Sequence, residues 1–159
     1  MKNSPALKVT TPSDREVVLT RVFDAPRHLV FEALTKPELI TRWFGPRGWT
    51  MPVCEVDLRV GGRWRYLLRG PDGREMGMRG GYREISPPDR LVHTESFDDF
   101  PVGEAVVTTV LVEEGGRTTL TATVLSPSKE ARDAVIKSGM EKGAGETYDR
   151  LAELLASMS

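Results

Sequence analysis

The chain has 159 residues, 39% of them apolar, and with its 15 glycines it reaches the composition of one globular domain with a core of its own. A formal net charge of −1 gives no global attraction to nucleic acid or an anionic membrane, and no apolar run approaches the ~18–20 residues that span a bilayer. Cys54 is the single cysteine, which excludes an internal disulfide, and the opening Met-Lys-Asn-Ser-Pro lacks the apolar stretch of a secretory leader, so the expected location is the cytoplasm.

Residues 1–14 are polar, contain Pro5 and Pro12, and read as a flexible tail before a single domain over 15–159. Glu16 to Phe23 is rich in β-branched residues and predicts the first strand. Asp24-Ala25-Pro26 then opens a helix, with Asp24 or Ala25 near its cap, Pro26 in its first turn, and Val30, Phe31 and Leu34 at helical spacing. Pro37 to Trp43 forms a second short helix. The loop after it carries Trp43, Phe44 and Trp49, and so apolar a loop must bury itself against something. Six strands follow: Met51–Asp57, Arg63–Leu68, Glu75–Ile85, Leu91–Phe97, Ala105–Val112 and Thr118–Leu125. They are separated by turn residues such as Gly70-Pro71-Asp72-Gly73 and Gly115-Gly116, so the sheet is antiparallel.

Alternation gives that sheet two faces. Trp64, Tyr66 and Leu68 share one side with Met76, Met78 and Tyr82, while Arg63, Arg65, Arg79 and Arg83 take the other. Trp64 and Met78 are therefore expected buried, Arg65 and Arg79 exposed, with a bulge at Gly80-Gly81. The first strand looks apolar on both sides, since Val18, Thr20 and Val22 alternate with its inner residues, which calls for a cover or a partner.

Ser126 to Met158 reads as one long amphipathic helix, Ser126 and Pro127 serving as cap and first turn. Ile136, Met140, Gly143, Ala144, Thr147, Leu151, Leu154 and Leu155 fall on one arc. Its interior glycines, Gly139, Gly143 and Gly145, oppose helix formation by about 1 kcal/mol each. The helix thus packs tightly at its leucine end, whereas its middle admits a close strand, leaves a ligand-sized hollow, or kinks. It is the only element long enough to fill the sheet's concave side.

Asp24-Ala25-Pro26, Trp43-Phe44-Gly45-Pro46, Val60-Gly61-Gly62, Pro87-Pro88-Asp89-Arg90-Leu91 and Tyr148-Asp149-Arg150-Leu151, in this order of elements, resemble one family over about residues 15–157. It is the bacterial branch of the activator-of-heat-shock-ATPase-homologue family, within the START-like, polyketide-cyclase-like superfamily. The resemblance implies an α+β helix-grip fold: a curved antiparallel sheet of about seven strands around the C-terminal helix, two short helices after the first strand, and a cavity between sheet and helix. Relatives in that superfamily bind lipids, sterols or polyketides, some cyclise or hydrolyse them, and the eukaryotic namesake activates a chaperone ATPase.

The residues exclude more chemistry than they support. His28, His93 and Cys54 have no short ligand spacing, so no metal is expected, and no dinucleotide, P-loop or hydrolase-elbow motif suggests a cofactor. The arginines lack the exposed aromatics of a nucleic-acid surface. His93 and Glu95 share a strand face and are the candidate acid–base pair. What remains is the apolar interior. Trp43, Trp49, Trp64, Tyr66, Met76, Met78, Met140, Gly143 and Tyr148, with Glu95 for orientation, either fill the core or line a site for a small hydrophobic or aromatic molecule. A cyclase- or hydrolase-type enzyme and a chaperone-stimulating or homodimeric interaction protein are the alternatives.

Overall fold

A computed structural model describes residues 6–99 and 103–158. The chain runs β1 (Lys8–Thr10), β2 (Glu16–Phe23), α1 (Arg27–Thr35), α2 (Pro37–Trp43), β3 (Thr50–Val56), β4 (Arg63–Arg69), β5 (Glu75–Ser86), β6 (Arg90–Phe97), β7 (Ala105–Glu114), β8 (Arg117–Leu125), α3 (Lys129–Lys137) and α4 (Met140–Met158). The strands form one antiparallel sheet in the order β1-β2-β8-β7-β6-β5-β4-β3. Hairpins join β3 through β8 consecutively, while β2 reaches β8 across the molecule, with Glu16 paired to Leu125 and Phe23 to Thr118. Leu151, Leu154 and Leu155 of α4 are buried with Val17, Phe23, Val30, Ile40 and Leu120, which fastens the helix to β2, β8, α1 and α2. This is the helix-grip architecture the resemblance implies.

Three local expectations are corrected. The tail assigned to 1–14 is too long: Lys8–Thr10 adds an eighth strand, with Lys8 opposite Thr20 and Thr10 opposite Val18. Lys-Val-Thr is too short to read as a strand alone, and the open edge of β2 supplies the pairing groups it needs. Residues 1–5 lie outside the described residues. The expected bulge at Gly80-Gly81 falls instead between Tyr82 and Glu84, where the β5–β6 register shifts. Gly80 has a different purpose, since an added Cβ would overlap the Thr94 carbonyl and lie 2.6 Å from Trp64 Nε1. Helix α1 also begins one residue later than expected, with Pro26 as its cap.

The long terminal helix is two helices. Ser126 is the last residue before the turn and donates its N–H to Arg15 O, so it extends the sheet side and caps nothing. The cap is Ser128, whose hydroxyl accepts from Ala131 N at 3.0 Å. α3 ends at Ser138, and Gly139 takes φ +84°, the left-handed conformation that closes a helix and re-aims the chain. The change of direction turns Ile136, expected on the apolar arc, out to 41% exposure. Gly139 and Gly145 both have open space where a Cβ would go, yet only Gly139 has positive φ. Gly139→Ala is therefore expected to lower stability by about 1–2 kcal/mol, and Gly145→Ala to raise it by about 0.5–1 kcal/mol. Opposite shifts in thermal midpoint check this; equal shifts would show that the break carries no conformational demand.

The two faces of the sheet separate as the alternation predicts at Trp64 and Met78, each 4% exposed, and at Arg79, which is exposed. Arg65 is half-buried, not exposed, because Asp98 draws its guanidinium down onto the sheet at 2.7 Å. Val18, Thr20 and Val22 face outward and are half-buried.

Candidate functional site

Between the inner sheet face and α4 lies a cavity of about 650 Å³. Its existence follows from what packs and what does not. The leucines seal the C-terminal half of α4, whereas Gly143, Ala144 and Thr147 on the preceding turns are too small to reach the sheet. Gly143 stands beside Pro46, 3.7 Å from where its Cβ would be. Met140 and the Gly139 break bound the opening, with Arg74, Glu75 and Met76 from the β4–β5 hairpin and Asp99 and Gly103 from the β6–β7 connection.

The aromatic residues form a connected belt along the cavity wall. Tyr148 meets Phe23 edge-on at 6.1 Å and stacks on Trp43 at 6.4 Å. Trp43 meets Phe44 at 5.5 Å, Phe44 meets Tyr66 at 5.1 Å, Tyr66 meets Trp64 at 4.5 Å, and Trp64 meets His93 at 5.6 Å. Two indoles are pinned by their N–H groups, Trp43 to Ala33 O at 2.8 Å and Trp64 to Thr94 O at 3.2 Å. Trp49 packs over Gly70, beneath the Arg74 guanidinium. The apolar loop thus finds its burial in the cavity wall.

That loop is held by α4. Arg150 donates to Gly45 O at 2.9 Å and to Pro46 O at 3.3 Å, and Arg47 donates its backbone N–H to Glu146 and its guanidinium to Glu153. Asp149, on the same turn, pairs with Arg21 of β2 at 2.8 Å. Tyr148-Asp149-Arg150-Leu151 therefore spends one residue each on the belt, the buried cation, the loop and the core.

Two titratable groups stand inside. Burial alone lowers the His93 imidazole to about 4 and raises the Glu95 carboxyl to about 7. His93 Nδ1 is buried without a hydrogen-bond partner among the described residues. Burial also lifts the phenols of Tyr66 and Tyr148, the latter to about 12. Cys54, half-buried on β3, is pushed up to about 11 and is thereby a poor nucleophile. His28 is exposed on α1, remote from this interior.

The Glu95 shift sets a stability prediction. The folded carboxyl keeps its proton up to about pH 7, whereas an unfolded chain releases it near ~4.3, so folding loses ground as pH rises between those values. Glu95→Gln should match wild type at pH 4 and exceed it by about 3–4 kcal/mol at pH 8. Urea midpoints at the two pH values read the difference directly.

All ten residues singled out from the sequence border this cavity: Trp43, Trp49, Trp64, Tyr66, Met76, Met78, Glu95, Met140, Gly143 and Tyr148. His93, considered only as an acid–base candidate, borders it too. Phe44 and the Arg150 clamp escaped the sequence reading. Phe44 left a signal, as the one aromatic of its loop not followed through, whereas Arg150 on a polar helix face left none.

Residues 24–156 match the family described as Activator of Hsp90 ATPase homolog 1-like protein. Among solved structures, a Rhodobacter sphaeroides protein is 35% identical with a TM-score of 0.89, over 96% of this chain and 99% of its own. A Nitrosomonas europaea protein is 27% identical with a TM-score of 0.83, over 93% and 98%. One from Mycobacterium smegmatis is 25% identical with a TM-score of 0.85, over 95% and 97%. No curated protein matches the chain.

Proposed function

The chain belongs to the Activator of Hsp90 ATPase homolog 1-like family, and from that premise we propose that it binds a small hydrophobic or aromatic molecule between its sheet and C-terminal helix. The family carries the fold, and the guest must be argued from the site. The observation that supports the reading is the cavity of about 650 Å³, within the range of small-molecule sites, walled by aromatics and bearing few polar groups. Among the described residues no helix is long and apolar enough to cross a membrane.

Native mass spectrometry of protein purified from its own source should show a bound organic species that denaturation releases. Ala144→Phe, which places a ring into the cavity from α4, should abolish uptake of anthracenemethanol with the fold retained. Uptake equal to wild type would remove the cavity as the site.

A second reading is favoured by His93 and Glu95 facing the same interior: acid–base turnover of the guest. It requires that Glu95→Gln stop product formation while the guest still binds; unchanged turnover would dispose of it.

A further inference from the structure

Glu95 is half-buried on β6 and lines the largely apolar cavity with nothing to answer its charge. Among the described residues no cation and no hydrogen-bond donor reaches its carboxyl, and burial is the sole cause of its shift. The groups that face it are His93 on its own strand and the phenols of Tyr66 on β4 and Tyr148 on α4, while Tyr82 on β5 lines the same cavity. Arg74, Glu75 and Asp99 stand at the opening. The guanidinium of Arg74 is taken up over the Trp49 ring at 5.9 Å, and Glu75 by Arg69 at 2.7 Å. A neutral His93, its Nδ1 unpartnered, adds no positive charge.

Buried carboxyls in proteins are paired as a rule, because an isolated one is costly. Here the missing partner coincides with a cavity lined by aromatic rings. Ring faces carry negative potential and attract ammonium groups, and a carboxyl behind them completes a seat for a cation. An anionic guest would meet repulsion from both, and a neutral one would leave the carboxyl unanswered.

We propose that the cavity selects a hydrophobic guest bearing a protonated amine, with the ammonium group at Glu95 and the apolar body against the Trp43, Trp64, Tyr66 and Tyr148 rings. This rests on the cavity-binding reading above and narrows its guest to one chemical class. Binding then draws the proton from Glu95, so affinity for an amine rises with pH until the carboxyl is fully charged. The phenols stay neutral over that range, and His93 is already uncharged.

The test compares three probes of one shape, anthracenylmethylamine, anthracenemethanol and anthracenecarboxylate, by isothermal titration calorimetry on the full chain. The amine should bind about tenfold or more tighter than the other two at pH 8. Its affinity should fall by about tenfold at pH 6, where the alcohol's is unchanged. Glu95→Gln should bring the amine down to the level of the alcohol, and since this variant gains stability, the loss does not report unfolding. Asp99→Asn at the opening should leave the preference intact. Alcohol or carboxylate binding as tightly as the amine, or a preference that survives Glu95→Gln, would overturn the amine proposal while cavity binding stands. Failure of all three probes would count against both.

Discussion

Asp149→Ala is expected to destabilise the protein by about 3 kcal/mol, which for a chain of this size lowers the thermal midpoint by about 6–12 °C. The loss falls on a partner, not on Asp149 itself. The Asp149 side chain is 54% exposed and loses little when removed, but the Arg21 side chain is 2% exposed and would keep its charge with no counter-ion. Its Nε is already unpartnered among the described residues. The effect is therefore directional. Arg21→Met removes the buried charge, keeps an unbranched side chain against Phe23 where the guanidinium now sits 5.4 Å from the ring, and leaves Asp149 hydrated. It should cost no more than about 1 kcal/mol. Combining the two should recover most of what Asp149→Ala loses. Thermal melts of the three variants decide it, and equal losses from either single change would refute the asymmetry.

Gly80→Ala should lower stability by about 3 kcal/mol or more, among the largest effects a single methyl can have. The added Cβ would overlap the Thr94 carbonyl oxygen and crowd Trp64 Nε1, two groups already bonded to each other at 3.2 Å. None is the end of a flexible chain: one is sheet backbone and the other a ring locked in the belt. Relief requires β6 to move from β5, and Glu95 moves with it. Neighbouring Gly81 supplies the control, since its Cβ would meet only Gly62 O at 3.3 Å. Gly81→Ala should stay within about 1 kcal/mol of wild type. Similar urea midpoints for the two variants would show that the crossing at Gly80 yields more easily than its geometry implies.

Strand boundaries and inward faces were legible because alternation over a half-buried sheet is a local signal. Glu16–Phe23 shows both its strength and its limit. Its period of two also places Arg21 on the face of Val17, Leu19 and Phe23, a contradiction visible in the sequence whose resolution, Asp149, stands 128 residues away. The hollow beneath α4 was legible only as one of three outcomes, since Gly143, Ala144 and Thr147 leave space that a closely approaching strand could equally have closed. The break at Gly139 was harder, because three glycines share that stretch and only tertiary geometry selects which one turns. Lys8–Thr10 was beyond reach: an edge strand of three residues exists only through its neighbour.

Placement of the aromatic residues has a practical consequence. The chain contains three tryptophans, and every one of them borders the interior hollow. No indole elsewhere contributes background emission, so on the proposed reading an occupant would quench or shift the tryptophan signal of the native polypeptide. A binding experiment on this chain would need neither dye nor tag.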